Sequence, residues 1–237
     1  MGYPDRAPAN TVASAVAAVE AGADMVEIDV SLTADGHAVA IHGPRLESST
    51  DGEGPIRRMD LAGIRGLNAK MRREVVPGAR VPEVAEIVDA VPGAAFNFDL
   101  KTGRAVSAVL QLIEREHLHE RCVISGATAS RVGRLRRATH DVTLLLNLNR
   151  FDKAVASTRF GAAWLALRYR RLLRCPDVLA LNISHRFVTH ELVDRIHRLG
   201  AEVWTYTADE PDHVLRLHDM GVDSITTNRV GDLPPLA

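Results

Sequence analysis

"MVEIDVSLTADGHAVAIHGPRL", residues 25–46, opens as a strand that carries two carboxylates. Side chains two apart in a strand point to the same face. Val26, Ile28 and Val30 therefore share one face, and Glu27, Asp29 and Ser31 share the other. Asp35-Gly36 is a hairpin-turn signal, so "HAVAIH" is expected to fold back as a short strand ending at His42. Residues 94–101, "AAFNFDLK", repeat the design, with Phe96, Phe98 and Leu100 on one face and Asn97, Asp99 and Lys101 on the other.

Outward from these two strands, helical and strand patterns alternate along the chain. "NTVASAVAAVEAG" reads as a helix with Asn10 or Thr11 as N-cap and Gly22 closing it. "VPEVAEIVDAVPG", "GRAVSAVLQLIEREH", "FDKAVASTRFGAAWLALRYRRLL" and "VTHELVDRIHRLG" read as helical. "RCVIS", "VTLLLNL", "DVLALNI", "AEVWTYT" and "VDSITTN" read as strands. This spacing predicts right-handed βαβ units and a parallel sheet. About seven main strands are expected, one short of a closed eight-stranded barrel. The fold class is α/β, a TIM (β/α)8-type barrel missing its first strand, built as one domain over residues 1–237. The Gly/Pro stretch 43–56 reads as an active-site loop rather than a domain boundary.

Composition narrows the function. The chain has 237 residues, 46% of them hydrophobic and 25% charged, which is ordinary for a globular domain. A net charge of -1 gives no sign of a nucleic-acid partner or an anionic membrane. No apolar stretch is long enough to span a bilayer, and no signal-peptide pattern is visible. Cys122 and Cys175 match no metal or redox spacing, which points to a reducing, cytoplasmic setting. No Gly-rich dinucleotide or nucleotide-phosphate pattern follows any strand.

The polar faces carry the chemistry. In a barrel, Glu27, Asp29 and Asp99 would converge at the C-terminal strand ends, where such barrels do catalysis. Three like charges need a counter-charge, and an all-oxygen set suits one divalent cation, Mg²⁺ or Ca²⁺. A lone Glu-x-Asp strand is more often a solvated strand face; the second strand shifts the balance toward a site. Lys101 is one of three lysines in an arginine-rich chain and suits either a phosphate contact or a simple ion pair with Asp99. His42, beside the small Ala38 and Ala40, suits a general acid or base, though a histidine there is more often a turn residue.

The chain also resembles the glycerophosphodiester phosphodiesterase family over nearly its whole length. "APANTVASAVAAVEAGADMVEIDVSLTADGHAVAIHGPRL" is similar to that family's first helix, its metal-binding strand and its histidine strand. "STDGEGPIRRMDLAGIRGLNA", "VPEVAEIVDAVP", "FNFDLK" and "GAEVWTYTADEPDHVLRLHDMGVDSITTN" follow in the family's order. The resemblance implies a barrel that cleaves glycerophosphodiesters, a small-molecule substrate, to an alcohol and glycerol 3-phosphate. It implies that Glu27, Asp29 and Asp99 hold the cation, that His42 is one of two catalytic histidines, that Lys101 lies near the phosphate, and that Trp204 walls the glycerol pocket.

Several positions differ from the family pattern. Its opening His-Arg-Gly strand, with the other histidine, has no counterpart before "MGYPDRAPANT". Pro-Glu-Asn-Thr reads Pro8-Ala9-Asn10-Thr11, His-Asp reads His42-Gly43, an expected arginine is Ser48, and a metal glutamate is Asp99. A strand lost from residues 1–8 would leave barrel edges for a loop or a second copy of the chain to cover. Two further readings stay open: a catalytically impaired relative that binds a phosphate ligand or a protein partner, and a phospholipase acting on choline-type lipids.

Overall fold

Thr11 starts the first helix, α1 (Val12–Glu20), by accepting the Ser14 backbone N–H on its hydroxyl at 3.2 Å. The computed structural model describes residues 1–139 and 141–233. They fall into two units, and α1 belongs to the first, Met1–Cys122 with Asn228–Gly231. Ser14, Ala15 and Ala18 are buried, and the helix packs on β1 (Met25–Leu32). The hairpin follows as expected: β2 (Ala38–Ala40) runs antiparallel to β1, with Val30 opposite Ala40. Its turn is closed by the Thr33 hydroxyl, which donates to Asp35 and accepts the His37 N–H.

Beyond β2, residues 43–67 fold over their own small core. Val39, Ile41, Leu46, Ile56, Ile64 and Val81 are buried together, with Met59, Leu61 and Leu67 against them. Asp60 caps the short α2 (Leu61–Arg65) through the Gly63 N–H. Then comes a hairpin that the sequence pattern does not announce, β3 (Asn68–Met71) and β4 (Glu74–Arg80). Its turn places Arg72 and Arg73 at φ 51° and 76°, where glycine or asparagine is usual. Glu83 and Glu86 form a capping box on α3 (Val84–Ala90). β5 (Ala95–Leu100) runs parallel to β1, and the register sets Glu27 opposite Asn97 and Asp29 opposite Asp99. Phe96 and Phe98 are fully buried and stacked at 5.8 Å, each burial stabilising by about 1.5–3 kcal/mol. α4 (Val106–Arg115) follows.

The second unit, Val123–Thr227, begins inside β6 (Cys122–Ala127) and repeats the βα rhythm. It contains α5 (Ala129–Ala138), β7 (Thr143–Asn147), α6 (Arg150–Ala156), α7 (Gly161–Leu173) and β8 (Val178–Ser184). It ends with α8 (His190–His197), β9 (Glu202–Tyr206), α9 (Pro211–Asp219) and the two-residue β10 (Ser224–Ile225). The strands pair in the order β6-β7-β8-β9-β10, all parallel. The single helical region expected over 151–173 is two helices. Residues 157–160 turn the chain between them, and glycine is required at the start of α7, where a Cβ on Gly161 would meet the Val155 and Ala156 carbonyl oxygens at 2.6 and 2.7 Å.

Among the described residues the parallel strands are β1, β5 and β6 to β10, the expected seven. Residues 1–8 form turns, with the Arg6 and Ala7 N–H groups on the Tyr3 carbonyl, and contain no strand. At Asp29, the β1 edge away from β5 is met by Asn10 and Ile41: the Asn10 side chain accepts the Asp29 N–H, and the Ile41 N–H donates to the Asp29 carbonyl.

Candidate active site

Five of the six residues singled out in the sequence lie in the first unit, and they meet. β1 presents Glu27 and Asp29, β5 presents Asp99 and leads into Lys101, and His42 follows β2. One carboxylate oxygen from each of Glu27, Asp29 and Asp99 lies within 4.8 Å of the others. Two oxygens on opposite sides of one Ca²⁺ stand about 4.6–5.2 Å apart, and about 4.0–4.2 Å on Mg²⁺. The trio thus has the donor chemistry and the span of a hard-cation site.

Asp29 is the hub. It is fully buried. Its Oδ2 accepts the Asn10 amide at 2.8 Å and faces His42 Nδ1 at 3.0 Å. Its Oδ1 is 2.5 Å from the Lys101 ammonium, an ion contact without hydrogen-bond geometry. Lys101 also contacts Asp99 closely. Of the two sequence readings of Lys101, the ion pair with Asp99 is present, and a second contact with Asp29 joins it. Burial pushes the Asp29 carboxyl up, but the His42 hydrogen bond and the Lys101 charge outweigh it and hold it well below the usual range. Burial likewise opposes the Lys101 charge, and Asp29 and Asp99 hold its pKa above the ordinary lysine value. The hydrogen bond to Asp29 raises His42 above the usual imidazole value against partial desolvation.

A cation fits these residues on a second observation. Asp29 Oδ1, Asn97 Oδ1 and Ser31 Oγ are buried without a hydrogen-bond partner. All three stand on the polar faces of β1 and β5. Buried oxygens without hydrogen bonds are costly, and Asp29 Oδ1, whose close contact is the Lys101 ammonium, and Asn97 Oδ1, opposite Glu27 in the register, offer lone pairs suited to a cation and its bound water.

Sequence reading missed how the site is held. Asn10 was a candidate helix cap, yet Thr11 caps α1 and Asn10 turns back at φ 60° to clasp Asp29 with both ends of its amide. Ser48, where the family pattern has arginine, donates to the His42 carbonyl at 2.9 Å, and Ser49 donates to the same oxygen at 3.0 Å. Gly43, where the pattern has aspartate, sits at φ +86°, and a Cβ there would press on Ser48 Oγ at 3.1 Å. The Gly/Pro loop thus fixes the peptide that carries His42. Trp204 belongs to the second unit, half-buried on β9, where its indole N–H donates to Glu202 at 2.7 Å.

The model of the Glycerophosphoryl diester phosphodiesterase family matches residues 1–232. A probable glycerophosphodiester phosphodiesterase 2 of Mycobacterium tuberculosis is 28% identical over 225 residues, 94% of this chain and 83% of that one. A glycerophosphodiester phosphodiesterase of Caldanaerobacter subterraneus subsp. tengcongensis is 28% identical over 236 residues, 93% and 88% of the two chains. Among solved structures, an Oleispira antarctica phosphodiesterase in complex with the product sn-glycerol-3-phosphate superimposes with a TM-score of 0.79 at 23% identity, over 98% of this chain and 92% of that one. A Silicibacter pomeroyi structure gives 0.78 at 24% identity, over 97% and 88%. The fold is thus the α/β, TIM (β/α)8-type expected from the sequence, and the chain belongs to the glycerophosphoryl diester phosphodiesterase family.

Proposed function

We propose that this chain hydrolyses glycerophosphodiesters to an alcohol and glycerol 3-phosphate, using a divalent cation held by Glu27, Asp29 and Asp99. The observation that carries the reading is the convergence of these acids with Lys101 and His42 across β1, β2 and β5. When bound, the cation would withdraw charge from the phosphate and lower the barrier to attack at phosphorus. Lys101 then adds a second positive charge beside the phosphate oxygens. Asp29 accepts from His42 Nδ1–H, so Nε2 is the nitrogen that exchanges protons with substrate. His42 is 56% exposed at its side chain, open to an entering water or a departing alkoxide. Its raised affinity for a proton suits donation to the leaving oxygen. One domain spans both units, as the continuous family match supports. Both cysteines are free thiols, which suits the cytoplasm.

The test is release of glycerol 3-phosphate from glycerophosphocholine by chelator-treated protein, with and without added Mg²⁺ or Ca²⁺. Release that requires the cation and disappears in Asp29→Asn supports the reading. Absence of release, with glycerol 3-phosphate still bound, would favour the ligand-binding relative instead.

A further inference from the structure

We propose that α6 and α7 form a docking face for an anionic lipid bilayer. The chain carries a net charge of -1, yet residues 150–174 hold seven basic side chains and one acid. That acid, Asp152, is fully buried. It accepts from the Tyr169 hydroxyl, and Arg168 pairs with it at 3.2 Å, so it pins α6 against α7 and offers no charge to solvent.

The outer side of this pair is apolar along one line. On α7, Leu165, Tyr169 and Leu173 point inward at four-residue steps. Phe160, Trp164 and Leu167 follow at i, i+4 and i+7 on the outward side. Phe160 is 64% and Leu167 73% exposed. Phe151 of α6, 63% exposed, packs edge-on against Trp164 with centroids 5.8 Å apart. At 100° per residue, Arg171 continues the ridge, Arg168 flanks one side, and Arg170 and Arg174 flank the other. Arg159 stacks over Phe160 at 4.5 Å and Arg168 over Trp164 at 4.9 Å. Arg170, Arg171 and Arg174 form no ion pair among the described residues.

Charge decides the occupant. A second copy of the chain would have to bring acids to meet Arg170, Arg171 and Arg174, unpaired along the ridge and one flank, while Arg168 on the other flank is held by Asp152. A bilayer surface supplies phosphates at the height of the guanidiniums and hydrocarbon at the height of the ridge. Aromatic and Leu side chains flanked by Arg are the composition of helices that lie in that interface. Among the described residues no helix is long and apolar enough to cross a membrane, so the face rests on the surface.

The full chain should co-sediment with vesicles of phosphatidylcholine mixed with phosphatidylglycerol, and do so far less with phosphatidylcholine alone. Rising salt should weaken binding. The double change Arg171→Gln and Arg174→Gln should weaken it roughly thirty-fold, from about 1 kcal/mol per charge. Phe160→Glu with Leu167→Glu should weaken it at least ten-fold, with an unchanged melting temperature. Tryptophan emission should shift to the blue on binding in wild type and not in Trp164→Phe. Equal binding to both vesicle types, or no effect of either double change, overturns the proposal. So does a vesicle-free dimer that Leu167→Glu dissociates, or tighter binding to a single-stranded oligonucleotide at the same salt.

Discussion

Replacing Asn10 by glycine removes the clasp on Asp29 and leaves the backbone free to keep its turn. The Asn10 amide donates to the buried Asp29 carboxylate at 2.8 Å and accepts the Asp29 N–H at 3.0 Å. A hydrogen bond to a charged group contributes about 1.5–3 kcal/mol, and a buried N–H left without an acceptor costs about 1–3 kcal/mol. Asn10→Gly should therefore destabilise the first unit by about 3–5 kcal/mol. For a chain of this length each kcal/mol moves the midpoint by about 2–4 °C, so the expected fall is roughly 6–20 °C. Asn10→Ala should fall further. Its φ of 60° is left-handed, and a Cβ there adds about 1–2 kcal/mol. Calorimetric melting of the three proteins in chelator reads both steps. A glycine variant within about 2 °C of wild type, or an alanine variant equal to the glycine one, would refute the clasp.

The same residue shows where sequence reading stops. The Glu-x-Asp and Asn-x-Asp strands were legible because alternation is local, and a register of Asp29 opposite Asp99 then joins them. Asn10 was not, since its partner lies nineteen residues away and its neighbour Thr11 explains the local pattern equally well. The β3–β4 hairpin escaped because arginines occupy turn positions that composition assigns to glycine. Ser48 read as a lost arginine, while in the structure it holds the His42 carbonyl. Side-chain support of a site depends on loop conformation, which the period of hydrophobicity does not encode.

Three more outcomes are expected. His42→Ala should lower turnover of glycerophosphocholine by roughly 10²–10⁴-fold and, in losing one hydrogen bond to Asp29, melt lower than wild type by less than Asn10→Gly does; a larger loss of stability with turnover little changed would mark His42 as a structural residue. Lys101→Met leaves Asp29 and Asp99 facing each other and should cost about 3–5 kcal/mol in chelator, a loss that added Ca²⁺ recovers in thermal melting; a loss that Ca²⁺ leaves unchanged contradicts the shared site. The Glu47 carboxyl is held down to about 2 by the Gly54 N–H and Arg45. Because its folded pKa lies below the ordinary 4.5, its contribution is present above pH 4.5 and is lost as the pH falls toward 2. The midpoint difference between wild type and Glu47→Gln should therefore shrink over that window, and a constant difference would contradict it.

The central claim is that Glu27, Asp29 and Asp99 share one divalent cation. Titration calorimetry of chelator-treated protein with Ca²⁺ and with Mg²⁺ measures it without any substrate. The account predicts one site per chain for at least one of the two ions, weakened at least ten-fold in Asp99→Asn and in Glu27→Gln while both variants melt as folded proteins. No heat from either ion at millimolar concentration, or equal affinity in wild type and both variants, would contradict it.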